Sequence, residues 1–455
     1  MPRIASAFRQ LRESYTRAAA ITVDIGDHLD RMSTETEGSE GLANIEVMNE
    51  TGYELAVLGN NEGLTFEFAA LDRLYRGHAR FSVIVSNMER IGSGPPEWIR
   101  PYALMERNGV RVAFIGLTAP FNSFYHPLGW NVTPPLDTAR YWVQKLRHQA
   151  DLVVILSHLG FPVDEQMARE IEGIDCIIGG HTHHLLPEPF MVNGTLLAAS
   201  GKFGSHVGDV MFRWDTDKKT VVDRDARCIP VADFPEDTAV KRLIDRHARE
   251  AKIALGGKVA DLRTDLDHRP DAESPLGNLL ATGIRQWTGA EIAIVNAGQL
   301  LFPLSRGSVT RETLLRLCPS PINPCHMDLS GEAIRQTLEQ SLLEEYIYKP
   351  IRGFGFRGEV LGTLCIEGME IVYDPDRPAY HKILSVKVNG DPLDPNRLYR
   401  VGTIDMFTFG SGYPTLQSGE NVHYYLPEFL RDLLRFKLED EAAIRRSFER
   451  RWKTV

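Results

Sequence analysis

Cysteine is scarce: five in 455 residues, Cys176, Cys228, Cys318, Cys325 and Cys365, with no CxxC pair and no regular spacing. An odd, scattered set points to neither a disulfide framework nor a zinc ribbon, and it fits a reducing compartment. Positive charge is also short, with 51 Lys and Arg against 61 Asp and Glu and a formal net charge of -10. That balance argues against a nucleic-acid backbone or an anionic membrane as the main partner. A small anionic substrate then needs a locally positive pocket, such as a metal centre. The sequence lacks any apolar run long enough to span a bilayer, and the charged start MPRIASAFRQLRESYTRAAA lacks the apolar core of a secretory signal. A cytoplasmic location is expected. Internal repeats and low-complexity tracts are absent.

With 43% hydrophobic and 25% charged residues, the composition is that of a globular protein, and the length exceeds what one core usually supports. Residues 1–225 alternate short apolar runs with helical patterns, the signature of a layered α/β domain. The runs AAAITVDIG, ELAVLGN, FSVIVSN, RVAFIGLT, DLVVILSHLG and IDCIIGGHTH read as strands. Between them Leu136, Ala139, Val143 and Leu146 repeat at helical spacing, as do Ile4, Phe8 and Leu11 near the start. Residues 226–257, with EDTAVKRLIDRHAREAKIAL, read as a charged interdomain helix whose charges form a solvated face. Residues 258–455 form a smaller mixed α/β domain, in which NGDP between alternating apolar residues predicts a hairpin.

Four of the predicted strands end in polar clusters: Asp27-His28, Asn60-Asn61, His158, and His181-Thr182-His183. Ligands in open α/β sheets bind beyond the carboxyl ends of strands, so one assembled site accounts for all four. Two imidazoles spaced one residue apart suit a metal with nitrogen ligands, although a histidine cluster alone fits an exposed polar turn equally well. Of the remaining histidines, His184 is placed beside the site and His206 on a glycine-rich loop near it. His78, His148, His247 and His326 are read as surface or packing residues.

Taken in order, VDIGDHLDR, LGNNEG, ILSHLG and GGHTHH resemble the calcineurin-like metallophosphoesterase superfamily, and the length and second half are similar to the bacterial 5'-nucleotidase family. The resemblance implies metal-dependent hydrolysis of phosphoester bonds in nucleotides or related compounds. It implies two divalent metals, with Asp27 bridging both, Asn60, His158 and His181 completing the second site, and His183 belonging to the first. Carboxylate, amide and imidazole ligands suit Mn, Zn, Fe or Co. Gly26, Gly59 and Gly180 allow the close backbone approach that such loops need. Asp30 and Arg31 read either as support for the ligands or as a surface ion pair.

The sequence departs from the family at several points. The family's opening DxH motif is absent, so the domain is expected to be N-terminally incomplete or to have lost its first metal site. GNHE reads GNNE, with Asn61 where a histidine stands. An asparagine donates a hydrogen bond but supplies no proton at neutral pH. A nearby cation such as His28, or a leaving group of low pKa, would compensate. A cyclic phosphodiesterase or pyrophosphohydrolase, and a noncatalytic nucleotide-binding or metal-binding protein, are the rival readings. In the second domain Asn296, Gly298 and Tyr413 match substrate-binding positions. The family's first aromatic falls near Thr363, its acidic loop residue is Ser411, and the arginine after N-x-G-G is missing. Phe354, Phe356 and Arg357 in GFGFRGEV are the replacements that the sequence offers.

Overall fold

The computed structural model describes residues 1–15, 19–353 and 355–455. It divides into two compact units, Met1–Ala251 and Lys252–Val455, each with its own core.

The first unit is built on two large sheets, accompanied by two-stranded pairings of Met88–Arg90 with Trp130–Val132 and of His206–Asp215 with Thr220–Pro230. A six-stranded sheet runs in the order Phe190–Val192, Thr195–Ala198, Cys176–Gly179, Leu152–His158, Val110–Thr118 and Tyr102–Arg107. Its four inner strands are parallel. Alternate residues of these strands feed two different cores. Leu152, Val154 and Leu156 join Val112 and Phe114 in packing against Leu55, Ala56, Val83 and Ile84 of the second sheet. Val153, Ile155, Ala113 and Ile115 pack the other way, against Ala139, Val143 and Leu146 of helix Pro135–Leu146 and Met167 and Ala168 of helix Phe161–Glu170. Burial on both faces is why DLVVILSH is apolar almost throughout.

The second sheet is parallel, in the order Val23–Asp24, Leu55–Ala56, Ser82–Ile84 and Ile99–Arg100. Val23–Asp24 is much shorter than the run AAAITVDIG suggested. Among the described residues it pairs on one side only, with Leu55–Ala56, and the bond from Val57 N–H to Asp24 C=O precedes the turn at Gly26. The first helix, Pro2–Ser14, seats Ile4 and Ala7 on Val207 with Phe8 and Leu11 alongside, on the face that the sequence predicted.

In the second unit a five-stranded sheet surrounds helix Pro275–Thr288 with Leu364–Glu367, Ile292–Asn296, Leu398–Ile404, Pro324–Ser330 and Glu420–Tyr424. Ser274 caps that helix by accepting from Gly277 N–H, Pro275 opens it, and Gly289 in the left-handed region closes it. The NGDP turn is a hairpin in which Asn389 and Gly390, both at positive φ, connect Ile383–Val388 to Asp391–Pro392. Among the described residues, no helix is long and apolar enough to cross a membrane.

Candidate metal centre

The strand ends of the first unit converge. His158 closes Leu152–His158 in register with Thr118, and the preceding Ser157 pairs with Gly179, the last residue of Cys176–Gly179. Asp27 follows Val23–Asp24, and Asn60 opens the helix Asn60–Thr65 that follows Leu55–Ala56. One donor atom each from Asp27, His158 and His181 lies within 4.8 Å of the others. Asp27 Oδ2 is 3.3 Å from His158 Nε2, and the His158 and His181 rings are 5.1 Å apart.

Backbone geometry sets this convergence. Asp27 and His181 have φ of 61° and 67°, a conformation that L-residues with side chains adopt at a cost and that clusters at functional sites. Gly26 lets the two ligand turns close on each other: a Cβ there would lie 2.5 Å from Gly59 N and 2.8 Å from His158 Nδ1. His158 Nδ1–H donates to the Ile25 carbonyl at 2.6 Å, which fixes the ring and leaves Nε2 facing Asp27.

Two atoms here test whether a metal fits. Asn60 Oδ1 is buried and has no hydrogen-bond partner, and His158 Nε2 is buried with the Asp27 carboxylate 3.3 Å away. Unpaired buried polar atoms are costly, and an amide oxygen and an imidazole nitrogen beside a carboxylate are a donor set for a borderline divalent cation. The residues fit. The side chains of Asp27, His158 and His181 are also coupled electrostatically. Burial disfavours charge on His158, but the Asp27 carboxylate overrides it and pushes the imidazole up to about 9. Burial likewise opposes ionisation of Asp27, yet His158 and the Asn61 N–H, which donates to Asp27 Oδ1 at 2.8 Å, hold it down to about 2. His181 is lowered to about 4, first by burial and then by His158.

The other expected site residues are distributed differently. His183, also at positive φ, is exposed and lies outside the cluster of three. Asn61 is half-buried in the first turn of its helix, with its amide oxygen 3.5 Å from Asn60 Nδ2. His28 turns into the protein. Its side chain is 6% exposed, Nδ1 pairs with Asp24 Oδ1 at 2.8 Å and Nε2 with the Tyr75 hydroxyl at 2.8 Å. Although burial opposes it, the carboxylates of Glu62 and Asp24 raise His28 to about 9. Arg31 forms a two-pronged ion pair with Glu37 and donates to the Thr65 carbonyl, which makes it a brace between the short helices Thr34–Gly38 and Asn60–Thr65.

In the second unit, four of the residues expected at the substrate are packed inside the protein. Tyr413 is fully buried, donates to the Gly362 carbonyl at 2.8 Å and stacks on Tyr346 at 5.6 Å. Phe356 is a core residue. Asn296 is fully buried, its amide donating to the Leu361 carbonyl at 2.6 Å and accepting from Gln299 at 3.0 Å. Gly298 is required because a Cβ would run into the Val360 and Leu361 carbonyl oxygens. Arg357 is half-buried, its N–H donating to Ser320 Oγ at 3.1 Å. Phe354 lies outside the described residues.

The sequence reading missed Glu62, Asp24 and Tyr75. Glu62 carried one signal, its position three residues after Gly59, the spacing of a helix capping box. The partners of His28 carried none.

Comparison with known proteins agrees in both halves of the chain. The calcineurin-like phosphoesterase family model matches residues 1–185, and the 5'-nucleotidase C-terminal domain model matches residues 255–418. The chain is 36% identical over 441 residues to an uncharacterized metallophosphoesterase, YunD, of Bacillus subtilis (strain 168), covering 96% of this chain and 95% of that protein. It is 27% identical over 455 residues to the trifunctional nucleotide phosphoesterase protein YfkN of the same organism, of which it spans 30%. Among solved structures, the 5'-nucleotidase precursor from Thermus thermophilus matches with a TM-score of 0.60 at 24% identity, covering 100% of this chain and 93% of that one. A putative 5'-nucleotidase from Staphylococcus aureus matches with a TM-score of 0.71 at 17% identity, covering 100% and 94%. These two likenesses speak to the fold.

Proposed function

The chain belongs to the 5'-nucleotidase family of calcineurin-like metallophosphoesterases, whose reaction is metal-dependent phosphoester hydrolysis, and we propose that it hydrolyses a nucleotide or related small phosphoester at the Asp27, Asn60, His158 and His181 cluster. The observation that carries this reading is the convergence of the Asp27, His158 and His181 donor atoms within 4.8 Å of one another. A divalent metal held there supplies Lewis-acid polarisation of a phosphoryl oxygen and lowers the pKa of water.

The chain's own residues do the rest. Asp27 and His158 fix the position of the ion, since each is anchored by a backbone hydrogen bond on its far side. Asn61 donates an amide hydrogen bond to the substrate but no proton, so the departing oxygen leaves with little protonation. Asn61 favours a second reading within the same reaction class, a cyclic phosphodiester or pyrophosphate, whose leaving group needs less help.

The test is hydrolysis by the Mn2+-supplemented protein of AMP, p-nitrophenyl phosphate and bis-p-nitrophenyl phosphate, with His158→Ala, His181→Ala and the surface variant His78→Ala compared. Activity is expected on at least one substrate, lost in the first two variants and kept in the third. Equal activity in all three variants would remove the site assignment, and none in the unaltered protein would remove the reading.

A further inference from the structure

Glu62 is 0% exposed and touches neither solvent nor the open side of the site, yet it is the most heavily bonded carboxylate there. Its Oε2 accepts from Gly59 N–H at 2.7 Å and from Asp27 N–H at 3.0 Å, and its Oε1 accepts from Leu29 N–H at 2.8 Å. A helix cap needs only the first of these bonds, because Gly59 precedes the helix Asn60–Thr65. The other two reach across 33 and 35 positions in sequence to the turn that carries Asp27. The traffic is reciprocal, since Asp27 Oδ1 accepts from Asn61 N–H at 2.8 Å. Each ligand turn therefore offers a carboxylate to the backbone of the other. His28 Nδ1, 3.8 Å from Glu62 Oε1, backs the carboxylate from inside.

We propose that Glu62 is a positioning residue of the metal centre, whose buried carboxylate clamps together the two turns that carry Asp27 and Asn60. The proposal rests on the reading of that cluster as a metal site. Without the clamp, Asp27 loses the hydrogen bond that holds its backbone at positive φ, and the separation between its carboxylate and Asn60 Oδ1 is no longer fixed. Outer partners of metal ligands typically matter about 10- to 100-fold in affinity. Glu62→Gln keeps size but offers one acceptor oxygen to three N–H groups. Glu62→Asp keeps charge but shortens the arm.

The experiment measures Mn2+ affinity by isothermal titration calorimetry, and Tm with and without Mn2+, for the unaltered chain, both Glu62 variants and Asp440→Ala. Asp440 caps another helix, accepting from Ala442 and Ala443 N–H at 3.0 Å each, and so reports what the loss of a cap alone does. The expected result is a Kd raised roughly 10- to 100-fold in Glu62→Gln and Glu62→Asp, with a smaller Mn2+-induced rise in Tm, while Asp440→Ala lowers Tm without moving Kd. A folded Glu62 variant that binds Mn2+ within about twofold of the unaltered chain would overturn the proposal, as would an equal loss in Asp440→Ala. Failure of both Glu62 variants to fold overturns it too, by making Glu62 a stability element. If the unaltered chain binds no Mn2+, the metal-site reading itself falls and the clamp with it; retained binding in the variants removes the clamp alone.

Discussion

A metal ion entering this centre competes with a proton, and the structure says which one. His158 Nε2 faces Asp27, and the imidazole holds its proton up to about pH 9, whereas His181 is neutral above about 4 and Asp27 ionised above about 2. Between about pH 6 and pH 8, binding then releases one proton, from His158, and the apparent affinity for Mn2+ rises about tenfold per pH unit, roughly 100-fold or ~2.7 kcal/mol over the interval. The metal-free protein should show the opposite trend. His158 has a folded pKa above its unfolded value near 6.5, so its contribution to stability is fully present below about 6.5 and is lost as pH rises through about 9. Heating the protein with and without Mn2+ across this range should therefore give Tm curves that diverge as pH rises. Calorimetry in buffers of different ionisation enthalpy counts the proton directly. An affinity independent of pH between 6 and 8, or release of two protons, would refute the assignment of His158 as the protonated member of the cluster.

Two further outcomes follow from single residues. Asn61→His restores a proton donor at the family position, so hydrolysis of AMP should rise by about 100-fold while bis-p-nitrophenyl phosphate changes little; unchanged kcat/KM for AMP would show that another group already does this work. Gly298→Ala forces a Cβ against the Val360 and Leu361 carbonyls, the latter at 2.6 Å, and should cost about 1–3 kcal/mol by urea denaturation; a neutral result would mean that the 360–361 segment yields freely.

The parts of this site that were legible in the sequence share a physical cause. Parallel strands buried on both faces appear as unbroken apolar runs, and the first polar residue after such a run marks a carboxyl end. That logic picks out Asp27, Asn60, His158 and His181, and donor atoms of Asp27, His158 and His181 lie within 4.8 Å of one another. It fails where neighbours in sequence diverge in space. Asp27 sits at positive φ, so the side chain of the next residue, His28, turns inward to Asp24 and Tyr75 while Asp27 faces His158. No periodicity reports a single residue in the left-handed region. In the second unit Tyr413 and Phe356 lie in loops, where composition does not separate a ring that stacks on a ligand from one that stacks on Tyr346 or fills a core.

Glu62 shows the deepest limit. Local spacing identifies it as a cap for Gly59, and that is correct as far as it goes. Its bonds to Asp27 and Leu29 exist only because the strands Val23–Asp24 and Leu55–Ala56 lie side by side, in register from Val23 to Leu55. Strand pairing thus turns a local capping carboxylate into a long-range one. The same register brings Asn61 N–H to Asp27. A shift of the pairing by one residue would reverse the faces on which these side chains emerge, and with them both halves of the exchange. Metal affinity and the pairing of two short strands are therefore coupled quantities in this protein, and the Glu62 variants address that coupling directly.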